Sequence, residues 1–178
     1  MTITFRPFDA TGRARIAQLI NKSNQYNLTT RRYTESEVTA VENDPEVFTL
    51  QVRLADIFGD NGMISVVICR PPGDGVWHID TWLMSCRVLG RKVEHMVLRK
   101  ILEHARAGDI HKLIVTYRPT DRNKLVVDHY AKLGFGKVDE RETGLTVWEL
   151  LVENANPESA LMKVVSHGFA ETNEKSLV

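Results

Sequence analysis

The spacing of apolar and polar residues changes along the chain and predicts its first elements. Thr2–Phe8 alternates apolar and polar side chains, which is typical of a half-buried strand. Arg13–Tyr26 instead carries Ile16, Leu19 and Ile20 at helical spacing, which predicts an amphipathic helix. The chain therefore begins with a strand that is followed by a helix.

A second helix and three strands are expected next. Thr34–Glu37 has the pattern of a capping box, which predicts a helix that begins there and runs to about Glu42. Three runs rich in β-branched residues follow, and turn-forming residues separate them at Gly59–Gly62 and at Pro71–Gly75. The three predicted strands are Val47–Ala55, Met63–Cys69 and Val76–Ser85.

Strands and helices alternate in the second half of the chain. From Gly90 the pattern becomes helical, and Gly108 is expected to end this helix as a C-terminal cap. A short apolar strand, a second helix closed by Gly134 and a last strand come next. These three elements are expected at Leu113–Tyr117, Leu125–Leu133 and Thr146–Val152.

This order of elements predicts one α/β domain over residues 1–153. Hairpins come first and strand-helix-strand units second, so we expect a mixed, mostly antiparallel central sheet flanked by helices. Residues 154–178 form a tail with an apolar cluster at Leu161–Val165, which predicts a docked helix with a frayed end.

Composition restricts the partners of the protein. The 178 residues include 23 Lys plus Arg and 23 Asp plus Glu, so no overall field attracts nucleic acid or a membrane. The chain has two cysteines, and charged residues interrupt its beginning, so we expect a cytoplasmic protein with reduced thiols. The histidines and cysteines lack the spacing of metal ligands, and we expect no metal.

The stretch Arg87–Lys92 lies between a predicted strand and a predicted helix. Gly90 permits a tight turn, and the first backbone N–H groups of a helix have no acceptor inside the helix. Such a turn binds anions, above all phosphate. The alternative is an ordinary tight turn with solvated cations.

A later motif supports the phosphate interpretation. Asn123, Tyr130 and Leu133–Phe135 follow the turn in the pattern N-x(6)-Y-x-x-L-G-F, and together with R-x-x-G this pattern resembles the GNAT acyltransferase superfamily. The resemblance implies a GNAT-like fold, in which the turn holds the phosphates of coenzyme A or of a phosphopantetheine thioester. It also implies that the fourth strand pairs with pantetheine and that Tyr130 protonates the leaving thiolate. The implied cofactor contacts are Arg87, Val88, Leu89, Gly90, Arg91, Lys92 and Asn123.

Four stretches of the chain stand out in this order: Asn21–Thr34, Phe58–Gly62, Ile79–Arg91 and Thr116–Phe135. This set carries a narrower resemblance, to the carboxy-terminal GNAT-like domain of FkbH-like proteins. It implies handling of a glyceryl or similar small acyl thioester on acyl carrier protein or coenzyme A, in polyketide or related secondary-metabolite biosynthesis. That family carries a HAD-type phosphatase domain with an Asp-x-Asp motif, which this sequence lacks. We therefore expect acyl carrier protein and a separate HAD-type phosphatase as partners, and a homodimer is left open.

Lys92 departs from the GNAT motif, which has Gly or Ala at this position. A small residue lets phosphate approach the backbone closely, whereas a lysine stem crowds that approach and offers an ammonium instead. Phosphopantetheine on a carrier protein has one phosphodiester and no nucleotide. A turn that holds phosphate less tightly would therefore weaken the binding of phosphopantetheine less than the binding of coenzyme A.

Cys86 directly precedes the turn and is expected to be either a nucleophile or a small buried hydrophobe. A free thiol with a pKa of about 8.5 is mostly protonated at neutral pH, and a helix dipole contributes about 0.3–1 kcal/mol, which is too little to activate it alone. With a nearby cation, Cys86 would accept the glyceryl group as a thioester. His129 would then serve as the base, and Tyr130 would protonate the leaving sulfur.

Polar residues in two places are expected to bind the acyl group. The segment after the first helix is rich in amides and hydroxyls, and the family resemblance places it at the acyl site; two further residues alternate on one strand. Simple solvation of a loop and a strand is the alternative. Two other functions stay open: a non-catalytic domain that docks a carrier protein or a phosphatase, and a small-molecule N-acetyltransferase that uses acetyl-CoA. The expected substrate-binding residues are Asn24, Gln25, Asn27, Thr29, Thr30, His78 and Asp80.

Overall fold

The computed structural model describes residues 1–23, 27 and 30–170. Short 3-10 turns at Cys86–Val88, Lys124–Val126 and Val152–Asn154 separate some of the longer elements. Within the described residues the strands and helices are β1 (Thr2–Arg6), α1 (Arg13–Lys22), α2 (Glu35–Glu42), β2 (Phe48–Asp56), β3 (Gly59–Gly73), β4 (Val76–Met84), α3 (Val93–Ala107), β5 (Lys112–Tyr117), α4 (His129–Lys132), β6 (Gly136–Glu140), β7 (Thr146–Leu151) and β8 (Lys163–Ser166).

The strands form one sheet in the order β6-β7-β5-β4-β3-β2-β1-β8. Neighbouring strands are antiparallel except for two parallel pairs, β4 with β5 and β1 with β8. A strand-helix-strand connection through α3 produces the first parallel pair, as expected for a crossover that includes a helix. The predicted mixed, mostly antiparallel sheet with flanking helices is therefore confirmed.

Each face of the sheet carries its own hydrophobic core. On one face, Ile20 of α1 and Val38 of α2 pack with Ile68 of β3. On the other face, Ile101 of α3 packs in a larger core that includes Trp82 of β4. Both helical layers bury the apolar stripe that the sequence pattern predicted.

Local helix signals in the sequence have the expected geometry. The Thr34 hydroxyl accepts from the Glu37 N–H at 3.2 Å, and the Glu37 carboxylate accepts from the Thr34 N–H at 2.7 Å. This reciprocal pair is the predicted capping box at the start of α2. Gly108 is the C-cap of α3, as predicted, and its N–H donates to the His104 carbonyl at 3.0 Å.

Two predicted helices are shorter than expected. α1 ends at Lys22 instead of Tyr26, and residues 24–26 lie outside the described residues. The predicted helix Leu125–Leu133 is a 3-10 turn followed by only four α-helical residues. Consecutive β-branched Val126 and Val127 lower the helical propensity at this point, and Asp128 leaves the helical conformation with ψ of 6°.

The turn between β2 and β3 differs from the prediction. Gly59–Gly62 belongs to β3, and the turn consists of Ile57 and Phe58, which are 90% and 91% exposed. The Asp56 carboxylate accepts from the Phe58 N–H at 2.8 Å, which is an Asx-type turn contact. The turn therefore lies at the two residues before Gly59, whereas the prediction placed it at Gly59–Gly62.

The predicted C-terminal helix is wrong for the described part of the tail. After the turn at Val152–Asn154 no described residue is helical, and β8 pairs parallel with β1 from Thr2↔Lys163 to Phe5↔Ser166. The β-branched pair Val164-Val165 favours a strand, and β1 offers it a free edge. Residues 163–166 therefore extend the sheet, and residues 171–178 lie outside the described residues.

Candidate functional site

The middle of β4 contains a bulge that separates this strand from β5. Ile68 pairs with Thr81 and Cys69 pairs with Ile79, so Asp80 is an extra residue on β4. The β4–β5 ladder has its last residue pair at Ile79↔Val115, immediately before the bulge. A bulge bends its strand and increases the local twist. The edge of β4 that faces β5 is thus released from Thr81 onward.

Part of this released edge is bonded to the segment between α1 and α2. Asn27 forms an isolated antiparallel bridge with Leu83, which pairs with Val66 of β3 through its other edge. Asn27 is fully buried, and its carbonyl accepts from the Asn123 side-chain N–H at 3.3 Å. The predicted substrate residue Asn27 thus lies on the strand edge that the GNAT resemblance assigns to pantetheine.

The bulge residue Asp80 is the centre of a buried ionic cluster. Its carboxylate accepts from the Tyr33 hydroxyl, from Arg31 at 2.5 Å and, weakly, from the Thr81 hydroxyl at 3.4 Å. The Arg70 guanidinium lies 3.7 Å from the carboxylate and donates to the Tyr33 hydroxyl at 3.2 Å. Burial raises the pKa of Tyr33. The carboxylate is therefore held between two cations beside the point where β4 and β5 separate.

Sequence reasoning found Asp80 and missed its partners. Arg31, Tyr33 and Arg70 come from a loop and from β3, so no periodic pattern joins them to β4. The available signal was the adjacent pair Arg31-Arg32 before a tyrosine, at the end of a polar segment. The predicted residue His78 is half-buried two positions before Asp80; burial lowers its pKa, and the charge of Asp80 opposes that shift.

The turn after β4 has the backbone of an anion-binding turn. Gly90 has φ of +76°, and a methyl group built on it would meet no described atom within 4 Å. Lys92 is the N-cap of α3 with φ of +59°, and its side chain makes no capping hydrogen bond. The first N–H groups of α3 have no acceptor inside the helix, and the space beside Gly90 is open. This geometry fits a phosphate group.

Carboxylates already neutralise two of the three cations of this turn. Arg91 donates to Asp56 at 2.8 Å, a contact that lowers the pKa of the Asp56 carboxyl, and Lys92 lies 2.5 Å from Glu158 of the tail. Arg87 is exposed and forms no ion pair with the described residues. Among the other predicted cofactor residues, Val88 is fully buried in the core and Leu89 is 40% exposed. The side chain of Arg87 is thus the most available cation of the turn.

The two cysteines occupy opposite environments. Cys86 is exposed at the start of the 3-10 turn that follows β4, so the interpretation of Cys86 as a buried hydrophobe is wrong. Cys69 is fully buried, and burial raises the pKa of its thiol. Cys86 is therefore accessible to solvent, whereas Cys69 is not.

His129 and Tyr130 belong to a buried aromatic cluster. The His129 ring packs edge-on against Trp82 with centroids 4.9 Å apart, and Tyr130 packs against Phe135 at 5.3 Å. Burial lowers the pKa of His129 to about 3, with smaller contributions from the charges of His95 and Lys132. So weak a base accepts a proton poorly at neutral pH. The structure therefore argues against His129 as the general base.

Asn123 holds two loops together instead of offering its amide to a cofactor. Its side-chain oxygen accepts from the Thr120 N–H at 2.7 Å, and its side-chain nitrogen donates to the Arg118 carbonyl at 2.9 Å and to the Asn27 carbonyl at 3.3 Å. Because both ends of the amide are occupied, the predicted cofactor contact is not supported. Asn123 instead positions Asn27 against β4.

The remaining predicted substrate residues fall into two groups. Thr30 has φ of +58°, donates its N–H to the Asn27 side chain at 2.9 Å and lines a cavity of about 340 Å³. Asn24, Gln25 and Thr29 lie outside the described residues.

In the described part of the chain, His, Cys, Asp and Glu side chains form no group that could hold a metal ion. No described helix has the length and apolar character needed to cross a membrane.

Comparisons with known proteins identify the fold. No family model and no curated protein matches the sequence. An acetyltransferase of the GNAT family from Streptococcus pneumoniae matches with a TM-score of 0.65 and 16% identity, over 84% of this chain and 98% of that chain. Spermidine N-acetyltransferase from Vibrio cholerae, in complex with CoA and spermine, matches with a TM-score of 0.65 and 15% identity, over 85% of this chain and 96% of that chain. The ribosomal-protein-S18-alanine N-acetyltransferase from Escherichia coli matches with 0.63 and 10% identity, over 87% and 97%. The protein therefore has the GNAT fold.

Proposed function

We propose that this protein transfers an acyl group from a thioester of pantetheine. The observation that carries the proposal is the edge of β4 released by the bulge at Asp80 and followed directly by the open turn at Gly90. An extended chain of amides can add to a free strand edge, and a phosphate suits the start of the next helix. A pantetheine chain has both parts in that order.

Each region of the site has a distinct task in this proposal. The backbone of the Gly90 turn and the side chain of Arg87 would hold the phosphate, and the bound thioester supplies an activated acyl carbon. Asn27 would give up its bridge to Leu83 so that the amide chain can pair with β4. Tyr130 would return a proton to the leaving sulfur, as the family resemblance implies.

The donor that we favour is an acyl thioester on acyl carrier protein, with glyceryl as the acyl group. Lys92 takes the position of a small residue and points its ammonium at Glu158, which leaves less room and less free charge for a pyrophosphate. A carrier-borne pantetheine presents a single phosphodiester. A separate HAD-type phosphatase belongs to the same proposal, as the source of dephosphorylated glyceryl groups.

Cys86 would act as a relay in this version of the reaction. Its sulfur would attack the carbonyl carbon of the glyceryl thioester, so that a carbon–sulfur bond to Cys86 forms and the bond to the pantetheine sulfur breaks, and the proton of the Cys86 thiol would pass to the pantetheine sulfur by way of Tyr130. An acceptor nucleophile would then attack the same carbon, the bond to the Cys86 sulfur would break, and the proton lost by the acceptor would pass to that sulfur. The exposure of Cys86 beside the turn supports this role.

Direct N-acetylation from acetyl-CoA is the second candidate. The solved neighbours include two N-acetyltransferases, and one of these structures contains CoA. In this version the Asp80 cluster would line the acceptor side, and Cys86 would have no covalent role. A docking domain without catalysis is the third possibility and predicts binding to a carrier protein without any transfer.

Intact-protein mass spectrometry separates these functions. The full chain is incubated with a synthetic glyceryl thioester of pantetheine, and separately with acetyl-CoA and spermidine as a test amine. A glyceryl adduct that is absent in Cys86→Ser and retained in Cys69→Ala, the matched control at the buried thiol, supports the relay. Acetylated amine without any protein adduct supports the second candidate. Absence of both transfers would overturn the proposed acyl transfer.

A further inference from the structure

A second cavity, of about 620 Å³, lies along α3 between Met96 and Arg106. Helix α3 forms one wall, Phe5 of β1 and Val164 of β8 form another, and most residues of the segment 155–162 complete the lining. Small-molecule sites commonly enclose about 300–1,000 Å³. The size therefore fits a small ligand, and neither the fold comparison nor the proposed acyl transfer assigns a role to this space.

Polar contacts attach the 155–162 segment to α3. Arg99 donates to the Pro157 carbonyl at 3.1 Å, and Arg106 donates to the Ala155 carbonyl at 2.8 Å. The Ala160 N–H donates to the sulfur of Met96 at 3.4 Å. Because these contacts tie the segment to one side of the cavity at several points, the space beneath it is maintained.

Lys100 is an unusual residue for the wall of this cavity. Its side chain is 8% exposed, and its ammonium lies 5.9 Å from the ring centroid of Phe5 and 5.3 Å from that of Phe169. One carboxylate, that of Glu103, lies 2.9 Å away and is itself 65% exposed. An apolar residue would pack at such a position at lower cost, because burial of an ammonium carries a desolvation penalty. An ammonium has three donors, so a ligand can use those that Glu103 leaves.

Both charged and apolar side chains line the cavity. Three cations, Arg99, Lys100 and Arg106, face the space together with one acid, Glu103, in a chain whose net charge is zero. This local excess favours an anion. The apolar part of the lining is suited to a hydrocarbon chain and consists of Phe5, Met96, Leu102, Met162 and Val164.

We propose that this cavity binds a small anionic amphiphile whose head group, a carboxylate or a phosphate monoester, is anchored by Lys100. The head group replaces water at the ammonium and at the free donors of Arg99, while the hydrocarbon chain covers the apolar lining. The inference does not depend on the acyl transfer proposed above, because the two sites share no residue.

Isothermal titration of the full chain tests the ligand class. The probes are octanoate, octyl phosphate and octanol, which share the hydrocarbon chain and differ in the head group. At least one anion is expected to bind about tenfold more tightly than octanol, and the tighter anion identifies the head group. Equal affinity for all three probes, or no binding of either anion, would overturn the proposal.

The variant Lys100→Met tests the anchor, because methionine keeps most of the side-chain length and removes the charge. Binding of the preferred anion is expected to weaken about tenfold, with octanol unaffected. Lys137→Met is the matched control at an exposed lysine of β6 and should bind as the parent does. Arg99→Gln, at an exposed position, provides a second test and should weaken the anion about threefold even if Lys100→Met does not fold. Unchanged anion binding in the folded variants would contradict the proposal.

Discussion

The two halves of β4 have the same extended backbone and different neighbours. Val76–Ile79 pairs with β3 on one edge and with β5 on the other. In the second half, Thr81–Met84 still pairs with β3 on one edge. On the opposite edge, Leu83 forms an isolated bridge with Asn27, and no regular strand pairs there in the described part of the chain. The change occurs at Asp80, the extra residue of the bulge. One inserted residue thus converts an interior strand into an edge that a ligand can use.

The surroundings of the two halves differ as well. Trp77 and Ile79 of the first half pack in the core with α3. The second half begins with the Asp80 cluster on one face, carries Trp82 in the buried aromatic cluster on the other, and leads into the Gly90 turn. The comparison teaches that ionic contacts, ring packing and a glycine turn together support the released edge.

The largest effect is expected when the ionic support of the second half is removed. Asp80→Asn keeps the shape of the side chain and removes the charge that Arg31 and Arg70 share. Loss of one partner from a buried ion pair costs about 3–5 kcal/mol. Because the two arginine side chains are 48% and 35% exposed, water compensates part of the loss, and we expect the free energy of unfolding to fall by about 2 kcal/mol. Urea denaturation measures this change.

Asp139→Asn is the matched control for that substitution. Asp139 is exposed and lies 3.8 Å from the exposed Arg141. The unfolding midpoint of this variant should equal that of the parent protein. If Asp80→Asn were equally silent, the ionic cluster would have no part in holding the second half of β4.

A dependence on pH is expected from the aromatic cluster behind the second half. In the unfolded chain His129 takes up a proton at its ordinary pKa of 6.5, whereas burial lowers its pKa in the folded protein to about 3. The unfolded state therefore binds more protons between these values, and stability falls as the pH falls through this window. At about 1.4 kcal/mol per pH unit, His129 accounts for a loss of about 2 kcal/mol between pH 6.5 and pH 5.

Urea denaturation at pH 7 and at pH 5 checks this pH dependence. His129→Leu should lose about 2 kcal/mol less than the parent protein on acidification. His167→Leu, at an exposed histidine, should keep the slope of the parent. Equal slopes in all three proteins would contradict the burial of His129 against Trp82.

A smaller effect on stability and a larger one on binding are expected at the turn. Gly90→Val places a β-branched residue at φ of +76°, a conformation that costs about 1–2 kcal/mol for residues other than glycine. The strained turn should bind an acetyl-pantetheine phosphate probe at least about tenfold more weakly in isothermal titration. Gly136→Val, at a glycine with open space and without positive φ, should bind as the parent does. Equal binding by both variants would remove the turn from the site.

The smallest effect concerns the exposed pair at the start of α3. Lys92→Gly supplies the small residue of the GNAT motif and suits the left-handed conformation of this position. We expect coenzyme A to bind several-fold more tightly, with an unchanged unfolding midpoint. Glu158→Gln should give a smaller increase of about threefold, because it frees the ammonium of Lys92 without removing its stem. Weaker binding in both variants would show that the pair assists the phosphate contact.

Predictions based on contacts within a few residues agree best with the structure. The capping box at Thr34 and Glu37 and the cap at Gly108 follow from bonds between neighbours in the chain. The turn at Gly59–Gly62 and the helix in the tail were wrong because strand pairing overrides local propensity there. The open turn at Gly90 was foreseeable, since a glycine between a strand and a helix requires little beyond its own neighbours.

The contents of the site were less predictable. Asp80 was selected from the sequence, but its contacts with Arg31, Tyr33 and Arg70 join residues far apart in the chain. The burial that weakens His129 as a base depends on packing against β4. Hydrophobic patterns specify which faces are buried, and they contain no measure of how deeply a particular imidazole lies.

By itself, the sequence determined the order of strands and helices as far as α4, the two amphipathic layers and an open turn at Gly90. Only the tertiary structure decided where β4 leaves β5, which cations surround Asp80, and that the tail joins β1 as a strand. The physical reason is one of range. Propensity and capping act over a few residues, whereas strand register, ion pairing and burial depend on segments that meet only after the chain has folded.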